Sequence, residues 1–259
     1  MSKIFVIAKR DFKSLVMSPL FLIVAAVCSV AWSFIYLRAV SEFAQRLQMM
    51  QMQGMGSVGN SSMNIYEGLF FNLISFVHLI LIFAVPVLTM RLLSEEKKSR
   101  TFDLLLTSPI TSVDIAVGKF LAGFGSTLVL VLISFLYPLM TRLVTDFNWM
   151  PLLTSYLGLI LLLGVYVAIG LFMSSLTESA FVAVILALVA NVVLWFLGQG
   201  GADSESLVAT LISKMSVAEN FAAFIKGTIK VSAVVYFLTA IGFFVFLAER
   251  VVESSRWRS

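Results

Sequence analysis

Six apolar runs, each close to the length that crosses a lipid bilayer, dominate this sequence of 259 residues. About 20 consecutive apolar residues span the hydrocarbon core as a helix. The alternating ten-residue pattern of a membrane barrel does not occur, so the runs must satisfy their backbone hydrogen bonds as helices. The sequence predicts an all-α polytopic membrane protein with a single transmembrane domain over residues 1–259. The predicted spans are 20–37, 69–88, 117–140, 152–173, 180–197 and 231–247.

The distribution of Lys and Arg predicts the orientation of these spans. Twelve of the 18 basic residues lie in the N-terminal segment, the loop between the second and third spans, and the C-terminal tail, and six lie on the opposite face. Loops rich in Lys and Arg stay in the cytoplasm. Both termini are therefore predicted to be cytoplasmic. The net charge of +4 follows from this bias and gives no indication of nucleic-acid binding.

An amphipathic segment precedes the first span. Phe12 belongs to an apolar helical face, whereas Arg10 and Lys13 lie away from it. A helix of this kind lies in the headgroup boundary and directs its cations toward anionic membrane lipids. The sequence predicts such an interfacial helix, with Lys9, Arg10, Phe12 and Lys13 as its contact residues.

Two segments on the predicted outer face have different characters. Residues 38–66 are rich in Gln, Met and Gly and are expected to be mobile. In the loop 198–230, an apolar stripe over 207–215 and a capping pattern at Ser216 and Glu219 predict two short amphipathic helices between the last two spans.

A polar stripe in the second span is the clearest candidate for a substrate path. Asn72, Ser75 and His78 lie one turn apart on one side of the predicted helix, and Asn191 is a similar polar residue in the fifth span. Ionisable groups at that depth usually face a bundle interior or an aqueous cavity. A lone His that hydrogen-bonds a neighbouring helix is the alternative.

The residues offer little support for an enzyme. There is a single His and a single Cys, and no cluster that would bind a metal. Gly118-Lys119 is followed by Phe120, so it is not a phosphate-binding loop. Ser126 with the distant His78 is a weak candidate for a nucleophile and its base.

The most informative segment lies between the second and third spans. Charged residues over 95–100 give way to Leu and Phe, Ser108-Pro109 ends the helical pattern, and Thr111 with Asp114 can cap the next span. A short amphipathic helix in this position is suited to dock into a groove on a soluble partner. A solvated loop that only fixes the topology is the alternative.

This segment closely resembles the cytoplasmic element of ABC-2 type transporter permeases. The family pattern is a Glu-Glu-basic stretch, Thr before an acidic residue, Leu-Leu and Ser-Pro. The matching residues are Glu95-Glu96-Lys97-Lys98, Thr101-Phe102-Asp103, Leu104-Leu105-Leu106 and Ser108-Pro109, with Arg100 where the family usually has Gly. Residues 12–20, 174–179, 216–235 and 253–257 are similar to the gliding-motility-associated branch of this family.

The resemblance implies a permease subunit of an ATP-binding-cassette transporter in the bacterial cytoplasmic (inner) membrane. Such a subunit is not an enzyme by itself and binds no cofactor. It pairs with a second permease chain, identical or related, and with two copies of an ABC ATPase subunit that bind ATP and Mg. The residues assigned to ATPase coupling are Glu95, Glu96, Lys97, Arg100, Thr101, Asp103, Leu105 and Pro109.

Rival functions remain open at this level. The first is export of a lipid-linked, polysaccharide or small amphipathic substrate. The second is a mechanotransmission complex of the gliding-motility type, which passes force to a periplasmic accessory protein and transports little. An intramembrane enzyme is the distant third.

Overall fold

The computed structural model describes residues 3–52, 65–101, 110–197 and 216–256, and all regular secondary structure in these ranges is helical. The predicted all-α class is confirmed for this part of the chain. A π-helical turn, Tyr66–Phe70, leads directly into the third helix. The helices are α1 (Lys3–Val16), α2 (Pro19–Met52), α3 (Phe71–Thr89), α4 (Ser94–Lys98), α5 (Ser112–Arg142), α6 (Trp149–Leu176), α7 (Ala180–Phe196), α8 (Val217–Ile225) and α9 (Val231–Arg256).

Five helical stretches in the described ranges are long and apolar enough to cross a membrane. They are Pro19–Met49, Tyr66–Lys98, Ser112–Arg142, Trp149–Leu176 and Val231–Ser255. The run predicted as the fifth of six spans forms α7, a shorter helix of 17 residues. At 1.5 Å per residue α7 is about 26 Å long, slightly less than a hydrocarbon core of about 30 Å.

The first span continues far beyond its predicted end. We expected residues 38–66 to be mobile, but α2 continues through Arg38 as a helix to Met52. This part of the prediction is wrong because Ala, Gln, Leu, Glu, Arg and Met all favour helices. An exposed i,i+4 pair, Arg38 Nε to Glu42 Oε1 at 3.1 Å, adds to the preference. Residues 53–64 lie outside the described ranges.

Local capping sets the starts of two helices. Thr111 Oγ1 accepts from the Asp114 N–H and the Asp114 carboxylate accepts from the Thr111 N–H, which confirms the predicted cap of α5. At α8, Ser216 Oγ accepts from the Glu219 N–H at 3.3 Å. The other predicted outer helix, over 207–215, lies outside the described ranges.

Helix α6 occupies the centre of the bundle, packed against α3, α5, α7, α8 and α9. Helix α1 lies along α5, and Asp11 of α1 contacts Lys119 of α5. Ser112 Oγ, at the start of α5, donates to Glu249 Oε1 of α9 at 2.8 Å. The N-terminal helix and the end of α9 therefore meet at one end of the bundle, beside α4, which we call the α4 end. Helix α8 lies at the opposite end, the α8 end, where Gly227 packs against Pro151.

Candidate functional site at the α4 end

A buried lysine connects three helices at the α4 end. The Nζ atom of Lys119 on α5 lies 3.1 Å from Asp11 Oδ2 on α1 and 2.8 Å from Glu96 Oε1 on α4. The Lys119 side chain is only 3% exposed. A cation at such a site requires paired carboxylates, because its desolvation is otherwise uncompensated. The three charges therefore hold α1, α4 and α5 in one arrangement.

Two glycines of α5 allow α1 to approach closely enough for this contact. A Cβ atom on Gly118 would lie 3.0 Å from the Ile7 Cβ atom, and one on Gly125 would lie 3.0 Å from the Phe12 ring. Small residues at helix contacts in membranes permit this close packing. Phe12, which the sequence assigns to the interfacial helix, thus packs against α5.

The other predicted interfacial residues face outward. Lys9 and Lys13 are exposed on α1, and Arg10 Nε lies 2.9 Å from Asp11 Oδ1. The hydrogen bond with Asp11 raises the pKa of the Arg10 guanidinium above its ordinary value. Arg10 also extends toward Glu96, with Nη2 and Oε1 3.7 Å apart. Helix α1 therefore has one face packed on α5 and another that presents cations.

The segment that leads into α4 is fastened to the end of α6. Ser174 Oγ accepts from the N–H groups of Leu93 and Ser94, at 3.1 and 3.0 Å, and donates to the Met90 carbonyl at 2.8 Å. Lys97 Nζ donates to the Ser175 carbonyl at 2.5 Å. The three contacts of Ser174 use the full capacity of its hydroxyl. Together with the Lys97 contact, they fix both ends of α4 relative to α6.

The predicted coupling residues thus divide into two groups. Glu96 and Lys97 make the inward contacts described above, whereas Glu95, Arg100 and Thr101 are exposed. Asp103, Leu105 and Pro109 lie outside the described ranges. The exposed group forms a charged surface next to the buried one.

Arg100 ends α4 in an unusual backbone conformation. Its φ angle is +56°, in the left-handed region that favours glycine. Its N–H donates to the Lys97 carbonyl at 3.2 Å, as expected for the residue after a helix C-cap. The position where the resembled family usually has Gly is therefore one where the backbone favours Gly.

The structure places the polar stripe of α3 against other helices. His78 is 3% exposed, and its Nε2 atom lies 2.8 Å from the Tyr166 hydroxyl of α6. Its ring centroid is 3.9 Å from that of Trp195 on α7 and 5.2 Å from that of Phe221 on α8. This arrangement agrees with the alternative interpretation, in which a lone His forms a hydrogen bond to a neighbouring helix. A role of His78 in a substrate path remains a prediction.

The remaining polar residues of the candidate path differ from His78. Ser75 Oγ donates to the Phe71 carbonyl of its own helix at 2.8 Å, and Asn72 is half-buried. Asn191 is fully buried, and its amide has no hydrogen-bond partner among the described residues. The structure does not join these groups into one network. Ser126 Oγ donates to the Gly123 carbonyl of its own helix, so it is not engaged with His78 as a nucleophile would be.

A second polar contact anchors α8 at its own end of the bundle. The Tyr66 hydroxyl donates to the Ile225 carbonyl and accepts from Ser155 Oγ at 2.5 Å, and Ser155 Oγ also lies 3.1 Å from the Phe224 carbonyl. A Cβ atom on Gly158 would lie only 2.5 Å from the Phe224 Cβ atom. Helix α8 is thus packed into the bundle rather than lying loosely on it.

Sequence reasoning missed the residues that assemble these sites. Asp11, Ser174 and Tyr66 were not singled out, and Lys119 was noted only in the rejected phosphate-binding motif. A usable signal existed for Lys119, because a lone cation near the start of an apolar span needs a partner. The identity of that partner depends on how α1 folds back onto α5.

The comparisons with known proteins agree with the helical membrane architecture. The sequence model of the ABC-2 family transporter proteins matches residues 5–253. No curated protein matches the chain. The match extends from α1 into the last turn of α9 and includes every element that builds the α4 end. This chain therefore belongs to the ABC-2 family of transporter proteins, as one of its membrane-embedded members.

Proposed function

We propose that this chain is the permease subunit of an ATP-binding-cassette transporter and that a separate ATPase subunit docks at the α4 end. The observation that carries this proposal is the fastening of α4: its inner side is tied to α1, α5 and α6, through Lys119 and Ser174. Its outer side presents exposed charges. Because α4 is attached to three other helices, a displacement of α4 by a soluble partner also displaces those helices.

The proposed coupling follows from the contacts of Glu96. A displacement of α4 by the ATPase subunit moves the Glu96 carboxylate, and Lys119 transfers this displacement to both α5 and Asp11 of α1. Lys97 transfers it in parallel to the end of α6. ATP and Mg are bound by the partner, and the permease responds as a two-state element whose populations the partner shifts.

The proposed topology has the α4 end in the cytoplasm of a bacterial cell, in the cytoplasmic membrane. The excess of Lys and Arg on this face supports it. With α7 as the sixth crossing, both chain ends lie on the cytoplasmic side. Helices α2 and α9 are the least buried of the five span candidates, since only 17% of the residues in the apolar window of each are buried. This supports contact with lipid or with a second permease chain.

A cavity at the α8 end supports export of an amphipathic substrate as the specific form of this function. This cavity has a volume of about 570 Å³ and lies between α2, the π-helical turn before α3 and the end of α5. Its walls are mostly apolar and include Phe43 and Leu69. Two polar residues also line it, Tyr36 and Thr141, whose hydroxyl groups form a hydrogen bond of 2.7 Å. Cavities with apolar walls and few polar groups bind amphipathic ligands. In either form, two copies of the ATPase subunit and a second permease chain, identical or related, complete the complex. The gliding-type mechanotransmission complex, with a periplasmic accessory protein, is the alternative.

The test is co-purification of the tagged chain from its native membrane. Mass spectrometry identifies bound subunits, and vanadate-sensitive ATP hydrolysis measures their activity. Lys98 and Arg100 are both exposed at the end of α4. Charge reversal there, by Lys98→Glu and Arg100→Glu, is expected to reduce the recovered ATPase subunit about tenfold, since disrupted charge complementarity at an interface opposes binding.

Arg38→Glu is the matched control, because Arg38 is an exposed arginine on α2, away from the α4 end. It is expected to leave ATPase recovery unchanged. Purification of the wild-type chain without any ATPase subunit would refute the permease proposal. Equal loss in the control and in the α4-end variants would refute the docking surface.

A further inference from the structure

A charged cavity adjoins the buried Lys119 cluster. It has a volume of about 380 Å³ and lies between α1, the first turn of α2, the end of α3, α4 and α5. Three cations and three carboxylates contribute to its walls. They are Arg10, Arg91, Lys119, Asp11, Glu95 and Glu96. The cavity is therefore balanced in charge, which is unfavourable for a simple anion or a simple cation.

Most of these charges already have partners, but two do not. Lys119 is shared by Asp11 and Glu96, and Arg10 is bound to Asp11. Arg91 and Glu95 are exposed and form no ion pair, with each other or elsewhere, within the described ranges. The cavity thus presents one unpaired guanidinium and one unpaired carboxylate.

The remaining wall consists of three serines, Ser14, Ser18 and Ser99, and an apolar side made of four leucines. Leu20 lies in the first turn of α2 and Leu88 in the last turn of α3, and Leu15 and Leu92 complete this side. The boundary between apolar spans and flanking charges coincides with the lipid headgroup region. The cavity is therefore open to a molecule with a charged end and an apolar end.

We propose that this cavity binds the headgroup of an amine-bearing zwitterionic phospholipid of the phosphatidylethanolamine type. Arg91 binds the phosphate, since guanidinium matches phosphate geometry. Glu95 accepts from the ammonium group, and the acyl chains follow Leu20 and Leu88 into the bilayer. A choline headgroup fits less well, because quaternary ammonium is recognised by aromatic cages and no aromatic residue lines the described cavity.

This proposal rests only on the membrane position of the bundle and does not require an ATPase partner. In this proposal Glu95 contacts the lipid headgroup, whereas Arg100 and Thr101 remain available for contact with the ATPase subunit. The bound lipid would fill the space between α1 and α4 and stiffen the element that transmits motion.

The test uses the purified full-length chain and a series of lipids with the same acyl chains. Native mass spectrometry measures retention of phosphatidylethanolamine, its N-methyl and N,N-dimethyl derivatives, phosphatidylcholine and phosphatidylglycerol. We expect retention to fall stepwise as N–H donors are replaced by methyl groups, to about tenfold less for phosphatidylcholine. The series needs no variant and so does not depend on the folding of one.

Variants then locate the site. Glu95→Gln is expected to remove the preference for phosphatidylethanolamine over phosphatidylcholine, because it removes the carboxylate that accepts from the ammonium group. Arg91→Gln is expected to weaken retention of every lipid in the series, since all of them carry the phosphate. Arg38→Gln and Glu42→Gln, which alter an exposed charge pair elsewhere on the chain, are expected to leave both the preference and the retention unchanged.

Three outcomes would overturn the proposal. They are equal retention of phosphatidylethanolamine and phosphatidylcholine, preferential retention of phosphatidylglycerol, and an unchanged preference in the Glu95→Gln variant. None of these results bears on whether an ATPase subunit co-purifies.

Discussion

Replacing Lys119 by Met removes the ammonium group that Asp11 and Glu96 share and keeps an unbranched side chain. With an effective dielectric constant of about 20, unit charges at the observed 2.8 and 3.1 Å attract by about 5–6 kcal/mol each. Desolvation offsets much of this attraction, and loss of one partner of a buried pair typically costs about 3–5 kcal/mol. Because the Asp11 and Glu96 side chains keep 13% and 20% exposure, we expect a loss near the lower limit, about 3 kcal/mol.

The assay is thermal unfolding of the purified chain in one fixed mixture of detergent and lipid. For a domain of this size, about 3 kcal/mol corresponds to a fall in Tm of roughly 6–12 °C. Combining Lys119→Met with Asp11→Asn and Glu96→Gln is expected to recover most of the loss, because neutral groups then replace every buried charge. Arg38→Met is the control, since its exposed pair with Glu42 contributes less than about 1 kcal/mol.

Two results would refute this reasoning. A Tm of Lys119→Met within about 2 °C of the Arg38→Met control, a margin of about 1 kcal/mol or less, would mean that the cluster does not hold the helices together. A triple variant as unstable as the single one would mean that poor packing of the introduced methionine side chain, rather than uncompensated charge, causes the loss.

Three further predictions concern other parts of the bundle. Gly158→Ala is expected to displace α8 and lower stability by about 1–3 kcal/mol, because its Cβ would overlap Phe224. Gly242→Ala, in the interior of α9 with nothing within 4 Å, is the control, and we expect it to raise stability by up to about 1 kcal/mol in thermal unfolding. Arg100→Gly is expected to raise stability by about 1 kcal/mol, since it relieves a positive φ; an unchanged or lower Tm would contradict this. Tyr66→Phe is expected to cost about 1–2 kcal/mol and to speed proteolysis near α8, because buried polar groups lose their partner.

Much of the helical framework was predictable from composition and periodicity. Apolar runs reported most of the spans because lipid leaves the backbone no partner except itself. The cap at Thr111 was predictable because capping is decided by residues adjacent in sequence. The end of α2 was not, because glutamine and methionine were interpreted as a loop although both favour a helix.

The candidate site was predictable only in outline. The charged segment around Glu95 was located from its sequence, and the positive φ of Arg100 coincides with a position where a glycine was expected. The inward partners of α4, Ser174 and Lys119, could not be inferred in the same way. They lie far along the chain from Glu96 and carry no local pattern that links them to it.

The sequence by itself determined that this chain is helical, lies in a membrane and presents a charged segment between two spans. Each of these properties depends on residues that are adjacent in sequence and on the free energy of transferring their side chains from water into lipid. Only the tertiary structure decided which face of α4 is occupied and which is free, that α1 is seated on Gly118 and Gly125, and that His78 is enclosed by Tyr166, Trp195 and Phe221. These features depend on the distances between helices, which are set by the packing of side chains far apart in sequence.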